Sequence, residues 1–439
     1  MRPLDLRRRS SDEYEPLPLS PVVTEAARRA RAAIDRLARS RAVSRRDLLQ
    51  SAAASAAVLA ALSACSSEER ASQGGSAPGG TFAVPGSIDT TTSTSSTSST
   101  TTTTTTIDPA TSSSVLDRDD LVVDVQLHFL DPTRNHSDFG AGFPQASCGL
   151  GTKKCFAEDI FLDLIFGQST TSVGVLSGLP ISGADSPFAL DVMDHAREVL
   201  ASGGGDQRLL LQAPVFPATG ALQEVLDAMA ADAAAHPVAA WKTYTHTPTE
   251  YRLDDERGDA LLSQAVALGS PILAVHKGLS GEDPAASPVD VGPAAAAHPD
   301  ATIVVYHSGW ERGVAEGAYD AGKPAEQQRG VDRLLASLST AGIGTSGNVY
   351  AELGSTWFNL ARSLDEAAHV LGKLLVHLGP ERILWGTDSI WYGSPQGQID
   401  AFRAFAITDE FQETFGYPAL TDETKRLILG GNAARLYGL

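Results

Sequence analysis

Positive charge is scarce in this chain: 34 Lys and Arg stand against 53 Asp and Glu, a formal net charge of −19 over 439 residues. The shortage is uneven. Residues 1–65 carry a basic excess, 12 Lys and Arg against 7 Asp and Glu, so the acidity is concentrated in the remainder. A strongly acidic body argues against nucleic acid or an anionic lipid surface as its partner, since both recruit concentrated Lys and Arg. Cysteine is also scarce, with Cys65, Cys148 and Cys155 alone, and no CxxC pair exists to suggest a zinc or thiol-redox motif. There is no GxSxG nucleophile elbow and no GxxxxGK[ST] phosphate loop. One GxGxxG match occurs, Gly342 to Gly347, but it precedes a strand-like run instead of following one and opening a helix, so it is rejected as a dinucleotide site.

What the chain does have is a repeated local grammar. LVVDVQLHF (121–129), ILAVHKG (272–278), TIVVYHSG (302–309) and RILWGTD (382–388) are β-rich apolar runs that each turn polar at the end. Four more runs share the character: SVGVLSG (172–178), LLLQAP (209–214), VAAWKTY (238–244) and NVYAELG (348–354). Between them lie Ala- and Leu-rich stretches with helical spacing, starting near Asp191, Leu222 and Ala260. Alternating strands and helices predict an α/β fold with a parallel sheet, and eight strands over this length predict a (β/α)8 barrel. A doubly wound open sheet is the alternative, but it would not call for polar residues at the ends of the first, fifth, sixth and eighth strands.

Side chains alternate across a strand, so Asp124, Gln126 and His128 are expected to share the inward face of the first run. The same alternation sends His276, His307 and Asp388 to the C-terminal mouth, where barrel loops assemble active sites. Lys242, Tyr244 and Glu352 have the inward alternation too and are candidates to line the pocket. Trp310, Trp357 and Trp391, each just past a strand end, are candidates either to wall an apolar substrate or to pack in the core. His136, His246, His369 and His377 fall in loops or helices and are read as structural or solvated.

The N-terminal part is organised differently. Arg45 and Arg46 precede an Ala-rich apolar stretch too short to span a bilayer, and Leu62-Ser63-Ala64-Cys65 follows. This resembles a twin-arginine lipoprotein signal, which implies export, cleavage before Cys65 and acylation of that cysteine, so membrane contact only through the lipid. A Ser/Thr/Gly-rich tract follows, including TTTSTSSTSSTTTTTT, and it cannot bury enough apolar surface to fold. The expected organisation is thus a signal segment at 1–65, a tether at 66–115 and the working domain at 116–439. For an exported chain, Cys148 and Cys155 are either a disulfide in the loop after the first strand or two thiols.

The motifs DVQLHF, VHKG, YHSGWE, WGTD and the closing GGNAARLYGL, in that order, resemble the amidohydrolase-related family of metal-dependent barrels, which includes hydrolases and decarboxylases related to aminocarboxymuconate semialdehyde decarboxylase. The resemblance spans roughly 120–439. It implies that His128, His276 and Asp388 bind one divalent metal, zinc or manganese, with Gln126 standing where the family has a further ligand. It also implies that His307 contacts substrate and that Asp388 serves as general base. Glutamine offers only a neutral amide oxygen to a cation, so this position departs from the pattern. The activity implied is hydrolysis of an ester, lactone or amide of a small molecule. Decarboxylation of an aromatic or unsaturated carboxylate is the alternative, and a catalytically inactive, surface-tethered binding protein is the reading from another class. A homo-oligomer is compatible with all three.

Overall fold

The computed structural model describes residues 121–183, 186–204, 208–246, 250–279 and 283–439. The signal segment, its Cys65 and the tether lie outside the described residues. Eight parallel strands run in sequence order: β1 Val123–Leu127, β2 Val173–Ser177, β3 Leu209–Val215, β4 Val238–Tyr244, β5 Ile272–His276, β6 Thr302–Tyr306, β7 Val349–Glu352 and β8 Ile383–Leu384. Seven fall inside a run expected from the sequence, and β3 extends one residue past its run at 209–214.

The last strand is brief, yet the ring still closes. Val125 N donates to Trp385 O at 3.1 Å, His128 N to Ser389 O at 2.7 Å, and Ile390 N to His128 O at 3.2 Å. These bonds carry the β1 ladder on along the segment after β8 and leave no open edge there, which is what a barrel requires. The fold is the (β/α)8 barrel.

The helices form where apolar residues recur at three- and four-residue spacing. In Leu364–His377 the buried positions Ala367, Val370, Leu371 and Leu374 make one stripe against the barrel wall. Glu256–Ala267 is opened by Asp255, whose side chain accepts from the backbone of Arg257 and Gly258 and satisfies two otherwise orphaned donors. Leu190–Ser202 and Leu222–Ala235 match the other two helical stretches.

The core has two layers. One cluster fills the space between strands and helices; a smaller one, with Val123, Val125, Val173, Val175, Ala274 and Val304, fills the ring itself. The C-terminal helix Asn432–Tyr437 brings Ala433, Leu436 and Tyr437 against that inner cluster and plugs the ring from the end opposite the strand termini. Burying each such Val or Leu contributes about 1.5–3 kcal/mol, so this plug is a stability element. Function is left to the other end.

Strict alternation fails in one place. Val123 and Val125 face the interior cluster, and a register shift between Asp124 and Leu127 then brings Gln126 inward as well. Asp124 turns instead to the segment after β8, accepting from Thr387 N at 3.0 Å and Thr387 Oγ1 at 2.5 Å. The expectation that Asp124 shares the site-facing side with Gln126 and His128 is corrected by this bulge.

Candidate active site

Backbone strain marks the C-terminal mouth. His307, Ser308, Ser355 and Asp388 all have positive φ, between 55° and 64°, and all follow the ends of β6, β7 or β8. Non-glycine residues held in this region cost about 1–3 kcal/mol each and gather at functional sites. Their side chains form two hydrogen-bonded groups.

The first group is centred on Asp388. Its Oδ1 accepts from Gln126 Nε2 at 2.9 Å and lies 3.1 Å from His128 Nε2. Its Oδ2 accepts from Ser355 Oγ, which in turn lies 2.7 Å from Tyr392 Oη. Burial pushes the Asp388 carboxyl up, but the hydrogen bond and charge of His128, then His307 and Ser355, outweigh it and hold the group below its usual value. Asp388 is therefore an anion at neutral pH. It keeps 6% of its surface exposed, whereas Gln126 and His128 keep 2% and 1%, so it is the member of this group that the mouth reaches. Trp391 stacks on the His128 ring at 5.4 Å and is itself packed by Phe143 and Phe156, so of the three tryptophans it is the one against the site.

His276 and His307 make the second group. His307 Nδ1 lies 2.6 Å from Gly354 O and must donate there, because a carbonyl only accepts. Burial holds His307 down to about 4, so its ring is neutral and its Nε2 accepts, at 3.3 Å, from His276 Nδ1. The proton of His276 is thereby fixed on Nδ1 and its lone pair on Nε2. Tyr244 stacks on His276 at 5.0 Å, and His246 leans on its other side at 4.9 Å.

Two of the candidate pocket residues lie beneath these groups and do not line an opening. Lys242 is fully buried, with its ammonium nitrogen 3.6 Å from the Tyr306 ring centre and 4.6 Å from that of Tyr244, and without a hydrogen-bond partner. Burial drives its pKa well below the usual lysine value. Glu352, also fully buried, accepts from His307 N at 3.0 Å and is pushed by burial up to about 8. A side chain at Gly354 would overlap both Gln126 Oε1 and the Glu352 carboxyl, and one at Gly386 would overlap Glu352, so both positions need glycine. Trp310 and Trp357 take the core alternative and pack in the outer cluster, which Trp391 also joins.

Three residues beside the site escaped the sequence reading: Ser355, Tyr392 and His246. Ser355 stands one residue beyond the β7 run, where alternation has ended, and only its positive φ turns it back to Asp388. Tyr392 follows Trp391 with no periodicity to mark it. His246 falls past the end of β4, as expected, but its ring leans on His276.

The structure joins Gln126, His128 and Asp388, and separately His276 and His307. It does not assemble the expected metal trio of His128, His276 and Asp388: among the described residues no group of three or more His, Cys, Asp or Glu side chains is placed to hold a metal ion. The pairs Cys148–Cys155, at a Cα separation of 5.7 Å, form a disulfide in the loop after β1. No helix among the described residues is long and apolar enough to cross a membrane.

Among solved structures, 2,6-dihydroxybenzoate decarboxylase in complex with 2,6-dihydroxybenzoate is similar at 15% identity and TM-score 0.47, over 73% of this chain and 99% of that one. A protein described as a 2-pyrone-4,6-dicarboxylic acid hydrolase from Pseudomonas putida is similar at 17% identity and TM-score 0.45, over 72% and 97%. A dihydroxybenzoic acid decarboxylase from Polaromonas sp. JS666, with bound manganese and 2-nitroresorcinol, is similar at 13% identity and TM-score 0.44, over 73% and 97%. No curated protein sequence matches the chain. Residues 123–439, from the first barrel strand to the last residue of the C-terminal plug, match the Amidohydrolase family, a family of metal-dependent enzymes, and the chain belongs to it.

Proposed function

We propose that the chain is a hydrolase acting on the ester, lactone or amide carbonyl of a small molecule at the mouth of the barrel, with Asp388 as the general base. The observation that carries this is Asp388 itself: an ionised carboxylate, held by three side chains, at the strand end where this fold performs its chemistry. It takes the proton of the attacking water. The His307 bond to His276 sets which nitrogen of His276 carries a lone pair, so His307 acts by positioning. Ser355 and Tyr392 hold the second carboxylate oxygen, and Trp391 supplies an apolar wall. The family's metal would polarise the carbonyl and acidify water, zinc or manganese suiting His and carboxylate donors. Because the donors here do not form a three-ligand group, no step is assigned to it.

The test is turnover of a panel of esters, lactones, amides and aromatic carboxylates by the full chain and by Asp388→Asn. Hydrolysis abolished by the substitution supports the reading. Release of carbon dioxide from a carboxylate in place of hydrolysis would reassign the chain as a decarboxylase, and tight binding without turnover as a binding protein.

We further propose export by the twin-arginine route and a lipid tether at Cys65, on the strength of the Arg45-Arg46 pair and the Leu62–Cys65 sequence. Mass spectrometry of the membrane fraction, finding a diacylated N-terminal cysteine or none, decides it.

A further inference from the structure

The Asp388 group differs from a metal site in a way that one residue explains. A histidine or carboxylate beside Asp388 can present a lone pair to a cation. A glutamine amide has one end that only donates and one that only accepts, and it gives up no proton at neutral pH. Here the donating end, Nε2, is bound to Asp388 Oδ1 at 2.9 Å. Turning the amide over would set Oε1 against a carboxylate oxygen, two acceptors face to face in a buried site, so the orientation is fixed by charge. Oε1 meanwhile is buried without a hydrogen-bond partner, in the space left by Gly354 beside Glu352 and away from Asp388.

The other groups on Asp388 close it further. His128 Nε2 faces the same Asp388 oxygen and Ser355 Oγ occupies the other, while His276 Nδ1 is turned to His307.

We infer that this chain has lost the divalent metal of its family, and that Gln126 is the residue that excludes it, by holding Asp388 in a closed hydrogen-bonded group. The site then works with side-chain acids and bases alone. The inference concerns the ion and not the reaction, so it is tested without a substrate.

The experiment is metal content of the full-length chain by mass spectrometry after equilibration with equimolar Zn2+ or Mn2+ and gel filtration, for the wild type, Gln126→His, Gln126→Glu and His276→Ala. The expected result is a wild type that retains essentially no ion at the site. Either Gln126 substitution should raise retention by at least about tenfold, equivalent to about 1.4 kcal/mol of binding free energy. One ion per wild-type chain, lost in His276→Ala, overturns the inference. So does equal, negligible retention by the wild type and by correctly folded Gln126→His and Gln126→Glu, since Gln126 would then not be the excluding residue. Circular dichroism checks the fold of each variant, and the wild-type measurement stands even where a variant fails to fold.

Discussion

Gln126 and Asp388 lie 262 positions apart and meet at 2.9 Å across the seam where the barrel closes, the glutamine amide donating to the aspartate carboxylate. Each residue comes from a strand end at that seam, so the bond exists only when the ring is complete. It joins closure of the fold to the state of the residue that carries the proposed chemistry.

Asp388→Asn removes the charge but keeps the size of the side chain. General base catalysis contributes about 10²–10⁴-fold, so kcat on the hydrolysed substrate should fall by at least about a hundredfold. Thermal denaturation should show the variant still folded. Full turnover would remove Asp388 from the mechanism.

Ser355→Ala takes away the donor to Asp388 Oδ2 and the partner of Tyr392 Oη while leaving the positive φ in place. Loss of a buried hydrogen bond of this kind costs about 1–3 kcal/mol. Ser355→Gly loses the same bonds but relieves the backbone, so it should be less destabilised than the alanine variant in urea unfolding. The reverse order would show that the positive φ is not a source of strain.

Glu352 gives stability a pH dependence of known sign. Its carboxyl rises from 4.5 to about 8 through burial. Between those values the folded chain holds a proton that the unfolded chain has released, so its contribution to stability falls as pH increases through that window. Asp124, raised by burial to about 7, acts in the same direction. Glu352→Gln should therefore flatten Tm against pH between about 5 and 8, leaving the Asp124 share. An unchanged slope would mean that Glu352 is ionised in the fold.

Lys242→Met replaces a buried amine, whose charged form burial disfavours and which has no hydrogen-bond partner, with an apolar chain of similar length. Relief of the desolvation cost should outweigh loss of the two aromatic contacts, and stability should rise by about 1–3 kcal/mol. A lower unfolding midpoint would show that the Tyr306 and Tyr244 faces stabilise the charge more than burial penalises it.

The Cys148–Cys155 disulfide closes a short loop, and short loops contribute the least cross-link entropy. The double Cys148→Ala, Cys155→Ala variant should lose about 2–3 kcal/mol. Because Phe143 and Phe156 from this segment pack on Trp391, turnover should also drop in that variant. A stability loss with unchanged turnover would separate the loop from the site.

Sequence alone determined the architecture. Strand periodicity and helical spacing are local signals, repeated eight times, and their repetition left few folds to choose from, so every strand of the barrel falls where its apolar run predicts. It also determined which strand ends carry polar groups, His128, His276, His307 and Asp388, although counting along a regular strand suffices for His276 alone among them: His128 comes in through the β1 bulge, and His307 and Asp388 turn at positive φ past their strands. Tertiary structure decided everything that depends on a break in that counting. The β1 bulge turns Asp124 to Thr387, the positive φ of Ser355 returns it to Asp388, and Trp310 goes to the outer core while Trp391 covers His128. Above all it decided who pairs with whom. A sequence lists donors and acceptors but not their distances, and a few ångströms separate a three-ligand metal site from an Asp388 closed by Gln126 beside a distinct His276–His307 pair.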